Sequence, residues 1–172
     1  MRIGISINSA WNIYNFRRGL IKGLLAEGHE VIAIAPQDNY SHKLIELGCE
    51  FFPVQMENKG TNPLSDLALA FRLGKIYRKA KLDAVLQFTI KPNIYGSLAA
   101  GAMSLFARKS KLPVINNVTG LGTVFIRNKS ISSKIAKILY KFSFRYPSTV
   151  FFQNPDDKKV FLKENLVPPF IT

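Results

Sequence analysis

Short apolar runs alternate with longer amphipathic segments along nearly the whole chain. Six of these runs are rich in β-branched and aromatic residues and have the length of strands. The predicted strands cover residues 2–8, 31–36, 51–54, 84–89, 113–118 and 148–153. The run at 31–36 is apolar throughout, which is typical of a strand buried on both faces of a parallel sheet. Pro53 favours an edge position for the third strand, because proline cannot donate to a ladder.

Apolar residues at helical spacing lie between the strands. The predicted helices cover 13–26, 38–48, 64–79, 93–106 and 131–145, and a last helix runs from 156 to 165. The residues expected to face the core from these helices include Phe16, Leu67, Phe71, Leu73 and Ile76. The unbroken alternation of strands and helices predicts an α/β fold built on a doubly wound parallel sheet. With 172 residues, of which 47% are hydrophobic, the chain is long enough to bury the core of one such domain.

Polar or flexible residues follow three of the predicted strands where each strand ends. These junctions read FTIKPNIYG at 88–96, VINNVTGLG at 114–122 and FFQNPDD at 151–157. The carboxyl ends of parallel strands meet at one edge of a sheet, and ligands of open α/β sheets bind just beyond that edge. The three junctions therefore predict a lined crevice, although ordinary helix starts are the alternative interpretation.

The turn after the first strand lacks the glycine pattern of dinucleotide-binding proteins. It reads NSAWNIYNFRRG, and without the glycines the backbone cannot approach a pyrophosphate closely. This argues against a nicotinamide or flavin enzyme. Asn12, Tyr14, Asn15 and Arg17 instead suit hydrogen bonds to hydroxyl groups and to a phosphate. The alternative is a capped helix whose side chains only serve the fold.

Two further loops contain candidate binding residues. Lys91 lies just past the fourth strand and beside the start of a helix, where the potential is already positive. Together with Asn93 it is a candidate for binding an anionic acceptor group, and a solvated surface lysine is the alternative. In the next loop, Thr119, Gly120 and Gly122 are candidates because glycine permits positive φ and a close approach of ligand to backbone.

The positive charge of the chain is concentrated in its second half. The net charge is +13, and no Asp or Glu occurs between residues 84 and 155, a stretch with ten Lys and Arg residues. Such a field favours anionic partners. Four cations recur at helical spacing in the predicted helix 131–145 with no acid nearby, and they are expected to face an anionic membrane: Lys134, Lys137, Lys141 and Arg145. The alternative is a solvated helix whose apolar stripe packs on the sheet.

Several other chemistries lack the residues that they need. Cys49 is the single cysteine, and His29 and His42 lie in different segments, so no metal site is expected. No Ser/His/Asp set and no paired carboxylates stand near the predicted crevice. No signal peptide and no spanning segment are recognised, so we expect a cytoplasmic protein, peripheral at the inner face of the cell membrane.

Four segments in order carry a family resemblance: GHEVIAIAPQDNY, FTIKPNIYGSLAA, VTGLG and FFQNPDD. They resemble the N-terminal domain of bacterial group-4 glycosyltransferases, retaining enzymes of the GT-B fold in which two Rossmann-like domains face a cleft. The resemblance implies that residues 1–172 form the acceptor-binding Rossmann-like domain and that the C-terminal donor-binding domain is absent from this chain. Many members have a histidine after the fourth strand, but residues 89–93 contain none, so the catalytic residue stays unassigned.

The resemblance also implies an activity for the full-length protein. It would move a hexose-type sugar from a nucleotide-sugar, a UDP-sugar, to a lipid-linked pyrophosphate acceptor in capsule, O-antigen or glycan biosynthesis. No cofactor bound by this domain and no metal are implied. Two alternatives stay open: a non-catalytic basic module that binds nucleic acid or anionic membrane, and half of a GT-B sugar epimerase. Nucleic acid is the less expected partner, because the aromatic residues occupy core-like positions.

Overall fold

A parallel sheet forms the centre of the domain. The computed structural model describes residues 1–57, 63–106, 111–120 and 131–169. Within these residues, six strands pair in the order β3-β2-β1-β4-β5-β6, and every pairing is parallel. Their bounds are β1 Arg2–Ser6, β2 Glu30–Ala35, β3 Glu50–Pro53, β4 Ala84–Phe88, β5 Val114–Val118 and β6 Thr149–Phe152. The predicted α/β fold with a doubly wound sheet is confirmed, and the strand with Pro53 lies at an edge.

Helices cover both faces of this sheet. Their bounds are α1 Ala10–Ala26, α2 Ser41–Glu46, α3 Pro63–Lys79, α4 Ser97–Phe106, α5 Ile131–Ser143 and α6 Pro155–Lys163, with a π-helix at Pro92–Gly96 directly before α4. Helix α1 begins three residues earlier than predicted. Ser9 caps it, since its side chain accepts a hydrogen bond from the Asn12 amide at 3.1 Å.

The core is divided between the two faces of the sheet. On one face, α1 and α2 pack on the first strands around residues such as Ile5, Ile13 and Leu44. On the other face, α3, the π-helix, α4 and α5 form a larger cluster, which includes Leu73 and Tyr140. The π-helix contacts α3, α4, α5, β4 and β5, so it lies where the layers of this second face meet.

Three expected core residues are in fact exposed. Phe16, Leu67 and Phe71 are 60%, 69% and 66% exposed, so the inward orientation predicted for them is wrong. In α3, Leu73 is buried as predicted, and Leu69, which was not predicted to face the core, is buried as well. Both sets have helical spacing, and the sequence does not show which stripe of a partly apolar helix meets the sheet.

In helix α5, too, the residues that face the core differ from those that were predicted to do so. Small or aromatic residues meet the core, among them Ala136 and Tyr140. Ile135, Ile138 and Phe142 are all exposed. The alternative in which the apolar stripe of this helix packs on the sheet is therefore wrong for Ile135 and Phe142, and Ile138 adds to the apolar surface that is open to solvent.

Candidate functional site

Of the three junctions that predicted a crevice, the one after β4 lies where the strand order reverses, the one after β5 is next to it, and the one after β6 lies at the far edge of the sheet. β1 pairs with both β2 and β4, so the chain turns to opposite sides of the sheet between β1 and β4. In doubly wound sheets, the gap beyond the carboxyl ends of such strands is where ligands bind. The loops after β1, β4 and β5 supply the candidate residues at this edge.

The backbone just after β4 has two unusual features. Thr89 has a φ of 65°, a left-handed conformation that is costly for a β-branched residue. Three residues later the chain enters the π-helix, a form that occurs most often at functional sites. The Asn93 amide donates to the Thr89 carbonyl at 3.1 Å and ties the two features together. A strained backbone is thus maintained where the crevice was predicted.

Lys91 forms an ion pair that the sequence did not predict. Its Nζ lies 2.7 Å from Oδ1 of Asp66, and the two side chains are only 15% and 4% exposed. The hydroxyl of Tyr95 donates to Oδ2 of the same carboxylate at 3.0 Å. Burial and the adjacent carboxylate of Asp66 raise the pKa of Tyr95, so this hydroxyl remains a donor. The solvated-lysine alternative is wrong, and an anion that binds Lys91 must compete with Asp66.

Asn93 lies beneath the surface of the crevice. It is 1% exposed, its Nδ2 donates to the Asn117 carbonyl at 3.0 Å, and its own carbonyl accepts from Ser97 at 2.6 Å. Asn116 donates to the same Ser97 hydroxyl at 2.9 Å. These bonds join the loop after β4 to the end of β5. We therefore expect Asn93 to position the two loops, not to contact ligand directly.

A second buried pair, Gln87 and Tyr77, lies against the π-helix. Gln87 in β4 donates to the Tyr77 hydroxyl at 2.9 Å, and both side chains are fully buried. A Cβ at Gly96 would collide with the side chains of both residues. Glycine is required at this position because the π-helix lies directly against the sheet.

The loop after β5 keeps an open approach. Thr119 is exposed, and Gly120 has a φ of 145°. Among the described residues beyond its chain neighbours, no atom lies within 4 Å of the position that a Cβ would take at Gly120. This is the positive φ that the glycine predicted. Gly122 lies outside the described residues. Thr119 and Gly120 therefore stay candidates for ligand contact.

All four candidates in α1 have contacts within the helix or with its surroundings. Asn12 donates from Nδ2 to Asn8 at 3.1 Å, and Asn15 donates to the Trp11 carbonyl at 2.8 Å. The ring of Tyr14 packs on that of Tyr40, with centroids 5.7 Å apart. These contacts favour the capped-helix alternative for Asn12 and Tyr14, whereas Asn15 is exposed and stays a candidate.

The amino end of α1 is not an open anion site. The Asn12 amide is bound by Ser9, and the Trp11 amide donates to Oδ2 of Asp38 at 3.0 Å. A carboxylate from the end of β2 thus already occupies the position that a phosphate would take at a free helix terminus.

Arg17 is the candidate that the structure singles out. Its guanidinium lies 4.3 Å from the ring centroid of Phe88, the last residue of β4, and Nη1 donates to the Phe16 carbonyl at 3.1 Å. Desolvation lowers the pKa of Arg17, and in the described part of the chain no carboxylate lies within ion-pair distance of it. Its buried Nε has no hydrogen-bond partner there either. A half-buried cation in this state favours an anionic ligand.

An exposed aromatic pair next to Arg17 was missed by sequence reasoning. Trp11 is 45% exposed, and its ring meets that of Phe16 edge to face at a centroid distance of 5.5 Å. A tryptophan in the turn after the first strand was the available signal, but helical spacing alone could not show that it faces outward.

The four cations that were predicted to face a membrane do not behave alike, and Arg145 lies two residues beyond the end of α5 instead of on the helix. Lys134, Lys141 and Arg145 are exposed, as a membrane-facing role requires. Lys137 instead forms an ion pair with Glu164, with 2.6 Å between Nζ and Oε2. The expectation that no acid lies near these four cations is therefore wrong for Lys137, because the chain returns beside α5 after α6.

Other sites receive little support from the geometry. Burial raises the pKa of Cys49 to about 11, so its thiol is a poor nucleophile at neutral pH. Among the described residues, no three His, Cys, Asp or Glu side chains gather closely enough to hold a metal ion. Within the same residues, no helix has both the length and the apolar character to cross a membrane.

Comparison with known proteins gives a family match over most of the chain. Residues 3–154 match the model of the family described as glycosyl transferase 4-like. The chain is also 31% identical to a Campylobacter jejuni protein named N,N'-diacetylbacillosaminyl-diphospho-undecaprenol alpha-1,3-N-acetylgalactosaminyltransferase. That match covers 97% of this chain but only 45% of the relative, so the chain spans less than half of its length.

Solved structures with the same fold include both transferases and epimerases. A Rickettsia africae glycosyltransferase matches with a TM-score of 0.61 and 16% identity, over 99% of this chain and 41% of its own. The Anabaena protein HepE in complex with UDP-glucose matches at 0.64 and 12%, over 100% and 42%. A UDP-GlcNAc 2-epimerase from Methanocaldococcus jannaschii matches at 0.63 and 18%, over 98% and 45%. At these identities the likeness shows the fold alone.

Proposed function

Because this chain belongs to the glycosyl transferase 4-like family, we propose that it is the acceptor-binding part of a glycosyltransferase with a lipid-linked diphosphate acceptor. The observation that carries the proposal is the family match over residues 3–154, together with a relative whose name specifies a diphospho-undecaprenol acceptor. The donor would be a UDP-sugar with a hexose-type sugar, and the product would belong to capsule, O-antigen or other glycan biosynthesis.

The acceptor diphosphate would bind at the carboxyl end of β4. Arg17 supports this placement, since it is half-buried on the ring of Phe88 without a carboxylate partner among the described residues. Charge-assisted hydrogen bonds from a guanidinium to phosphate oxygens are short and strong. Lys91 is three residues after Phe88 in the chain. Its contribution to diphosphate binding depends on how far a phosphate can draw its ammonium group away from Asp66.

The first sugar of the acceptor would lie beside the aromatic pair. Trp11 and Phe16 present exposed ring surface next to Arg17, and Asn15 is exposed on the same helix. Aromatic faces offer rigid apolar area to a sugar ring, while amide groups bond its hydroxyls. The loop with Thr119 and Gly120 could close the site from the side of β5.

The proposed acceptor would reside in a membrane, and the exposed cations on α5 and just after its end fit that location. Lys134, Lys141 and Arg145 are exposed cations, and each cation near an anionic bilayer contributes about 1 kcal/mol. We propose peripheral association at the inner face of the cell membrane, with the sheet edge turned toward the acceptor.

A transfer assay tests the proposal. Full-length protein is incubated with labelled UDP-sugars and a diphospho-undecaprenol-linked sugar, and the lipid product is measured. We expect transfer by the full-length protein and none by residues 1–172 alone, because the match covers only 45% of the relative's length. Multiple turnover by the isolated chain would contradict the division of roles. Epimerisation of a UDP-sugar without any transfer would instead support the epimerase alternative.

A further inference from the structure

A long apolar groove runs along the face of the domain formed by α3, α4 and α5. Its volume is about 1120 Å³, slightly above the range of about 300–1,000 Å³ for small-molecule pockets. The three helices supply aliphatic, aromatic and small side chains to its walls. They include Leu67, Phe71, Ala99, Met103, Ile135 and Leu139.

The exposed side chains of this groove are unusual for a surface between helices. Leu67 and Phe71 are 69% and 66% exposed, and Ile135 on the opposite wall is also exposed. Leaving such side chains in water forgoes about 1.5–3 kcal/mol for each one that could be buried. Contiguous apolar surface of this kind marks a binding site more often than a neutral surface.

One end of the groove joins the candidate site. Asp66 and Tyr95 line the groove, and they are bonded to each other and, through Asp66, to Lys91 after β4. Because Lys91 and Tyr95 satisfy the carboxylate of Asp66, that end of the groove presents no unpaired negative charge. Lys75 and Arg78 also line the groove and add positive charge along it.

We propose that this groove binds the isoprenoid chain of the lipid-linked acceptor, next to the diphosphate site at the end of β4. The inference rests on the proposed function for the identity of the lipid. The groove is apolar where a hydrocarbon chain would lie and positive along its rim, and it meets the sheet edge where an anion is expected. An isoprenoid diphosphate has this same sequence of parts.

Binding of a soluble isoprenoid diphosphate tests the groove without the donor domain. Calorimetry with the 172-residue chain compares geranylgeranyl diphosphate, below the concentration at which it forms micelles, with inorganic pyrophosphate. We expect the isoprenoid compound to bind at least about tenfold more tightly, because its chain removes apolar surface of the groove from water. Equal affinities for the two compounds would overturn the proposal.

Substitutions in the groove test whether geranylgeranyl diphosphate binds there. Leu67→Gln with Phe71→Gln should bring the affinity for geranylgeranyl diphosphate to within about threefold of that for pyrophosphate. Ala102→Trp, which fills the groove with a bulky ring, should act in the same direction. Ile45→Gln is the matched control, since Ile45 is 56% exposed on α2 and lies on the other face of the sheet. Thermal melting confirms that each variant is folded.

Vesicles distinguish the isoprenoid chain from the acyl chains of a bilayer. The Leu67→Gln/Phe71→Gln variant is floated with phosphatidylglycerol vesicles that contain no isoprenoid lipid. If flotation falls while the affinity for geranylgeranyl diphosphate is unchanged, the face docks on the bilayer and the proposal is wrong. If the Leu67→Gln/Phe71→Gln variant loses isoprenoid binding but the same substitutions leave sugar transfer by the full-length protein intact, only the groove proposal is overturned. If the wild-type chain binds the isoprenoid compound but the full-length protein transfers no sugar, only the proposed function is overturned.

Discussion

Two cations flank the end of β4, and they differ in what lies against them. Lys91 follows the strand and is paired with the buried carboxylate of Asp66. Arg17 comes from α1 and lies on the ring of Phe88, with no carboxylate in range in the described part of the chain. From sequence position alone, Lys91 is the stronger candidate for an anion. The availability of a cation thus depends on its partner as well as on its place at a strand end.

The physical reason is the balance between desolvation and pairing. A buried ion pair loses hydration but keeps a nearby opposite charge, so another anion gains little from binding there. A half-buried cation without a partner has lost part of its hydration already, and an anion restores the missing interaction. We therefore expect Lys91 to contribute mainly to stability and Arg17 mainly to binding.

The largest expected effect is on stability when Lys91 is removed. Lys91→Ala leaves the carboxylate of Asp66 buried without its cation, and we expect the free energy of unfolding to fall by roughly 3 kcal/mol. Urea denaturation measures the change, and Lys22→Ala, an exposed lysine on α1, is the control. Removing both charges with Lys91→Met/Asp66→Leu should recover most of the loss. A loss for Lys91→Ala no greater than that of Lys22→Ala would show that the pair does not stabilise the fold.

The next largest effect on the free energy of unfolding is expected at Gly96, in the π-helix that follows Lys91. Gly96→Ala places a methyl group against Gln87 and Tyr77, and overpacking of this kind costs about 2 kcal/mol. Gly23→Ala is the matched helical control, because nothing lies within 4 Å of a Cβ there. Urea denaturation of the two variants should separate them clearly. Equal stability would mean that the π-helix can shift without cost.

A smaller effect is expected on α5, where Lys137 has an ion-pair partner but Lys134 and Lys141 have none among the described residues. Lys134→Glu/Lys141→Glu should weaken binding to acidic vesicles by at least about 1 kcal/mol for each position. Lys137→Ala should change it less, because its charge is already matched by Glu164. Flotation at low and high salt measures both, and the difference should shrink as salt screens the charges. Similar flotation for all variants would exclude these cations from the membrane contact.

Much of the fold could be predicted because continuous apolar runs identify buried parallel strands. The run at 31–36 and Pro53 indicated one central and one edge strand, and both are where they were expected. The orientation of α3 and α5 could not be predicted, since Leu67 and Ile135 sit in stripes with helical spacing but face outward. Pattern alone does not show which stripe meets the sheet.

Candidate site residues could be proposed from the sequence, but their contacts could not. The strand ends and Arg17 came from local sequence, whereas the partners of the cations come from distant segments. Asp66 is 25 residues before Lys91, and Glu164 is 27 residues after Lys137. No local pattern reveals such pairs, and the exposed ring of Trp11 was likewise visible only once α1 had been placed against the sheet.

The main contact to the acceptor diphosphate is assigned to Arg17 and not to Lys91. Calorimetric titration of the 172-residue chain with pyrophosphate tests this assignment. We predict that Arg17→Ala lowers the affinity about tenfold, or about 1.4 kcal/mol, while Arg18→Ala, an exposed neighbour, and Lys91→Met/Asp66→Leu stay within about twofold of wild type. Unchanged affinity in Arg17→Ala, with a large loss in the Lys91→Met/Asp66→Leu variant, would refute the assignment and return the anion to Lys91.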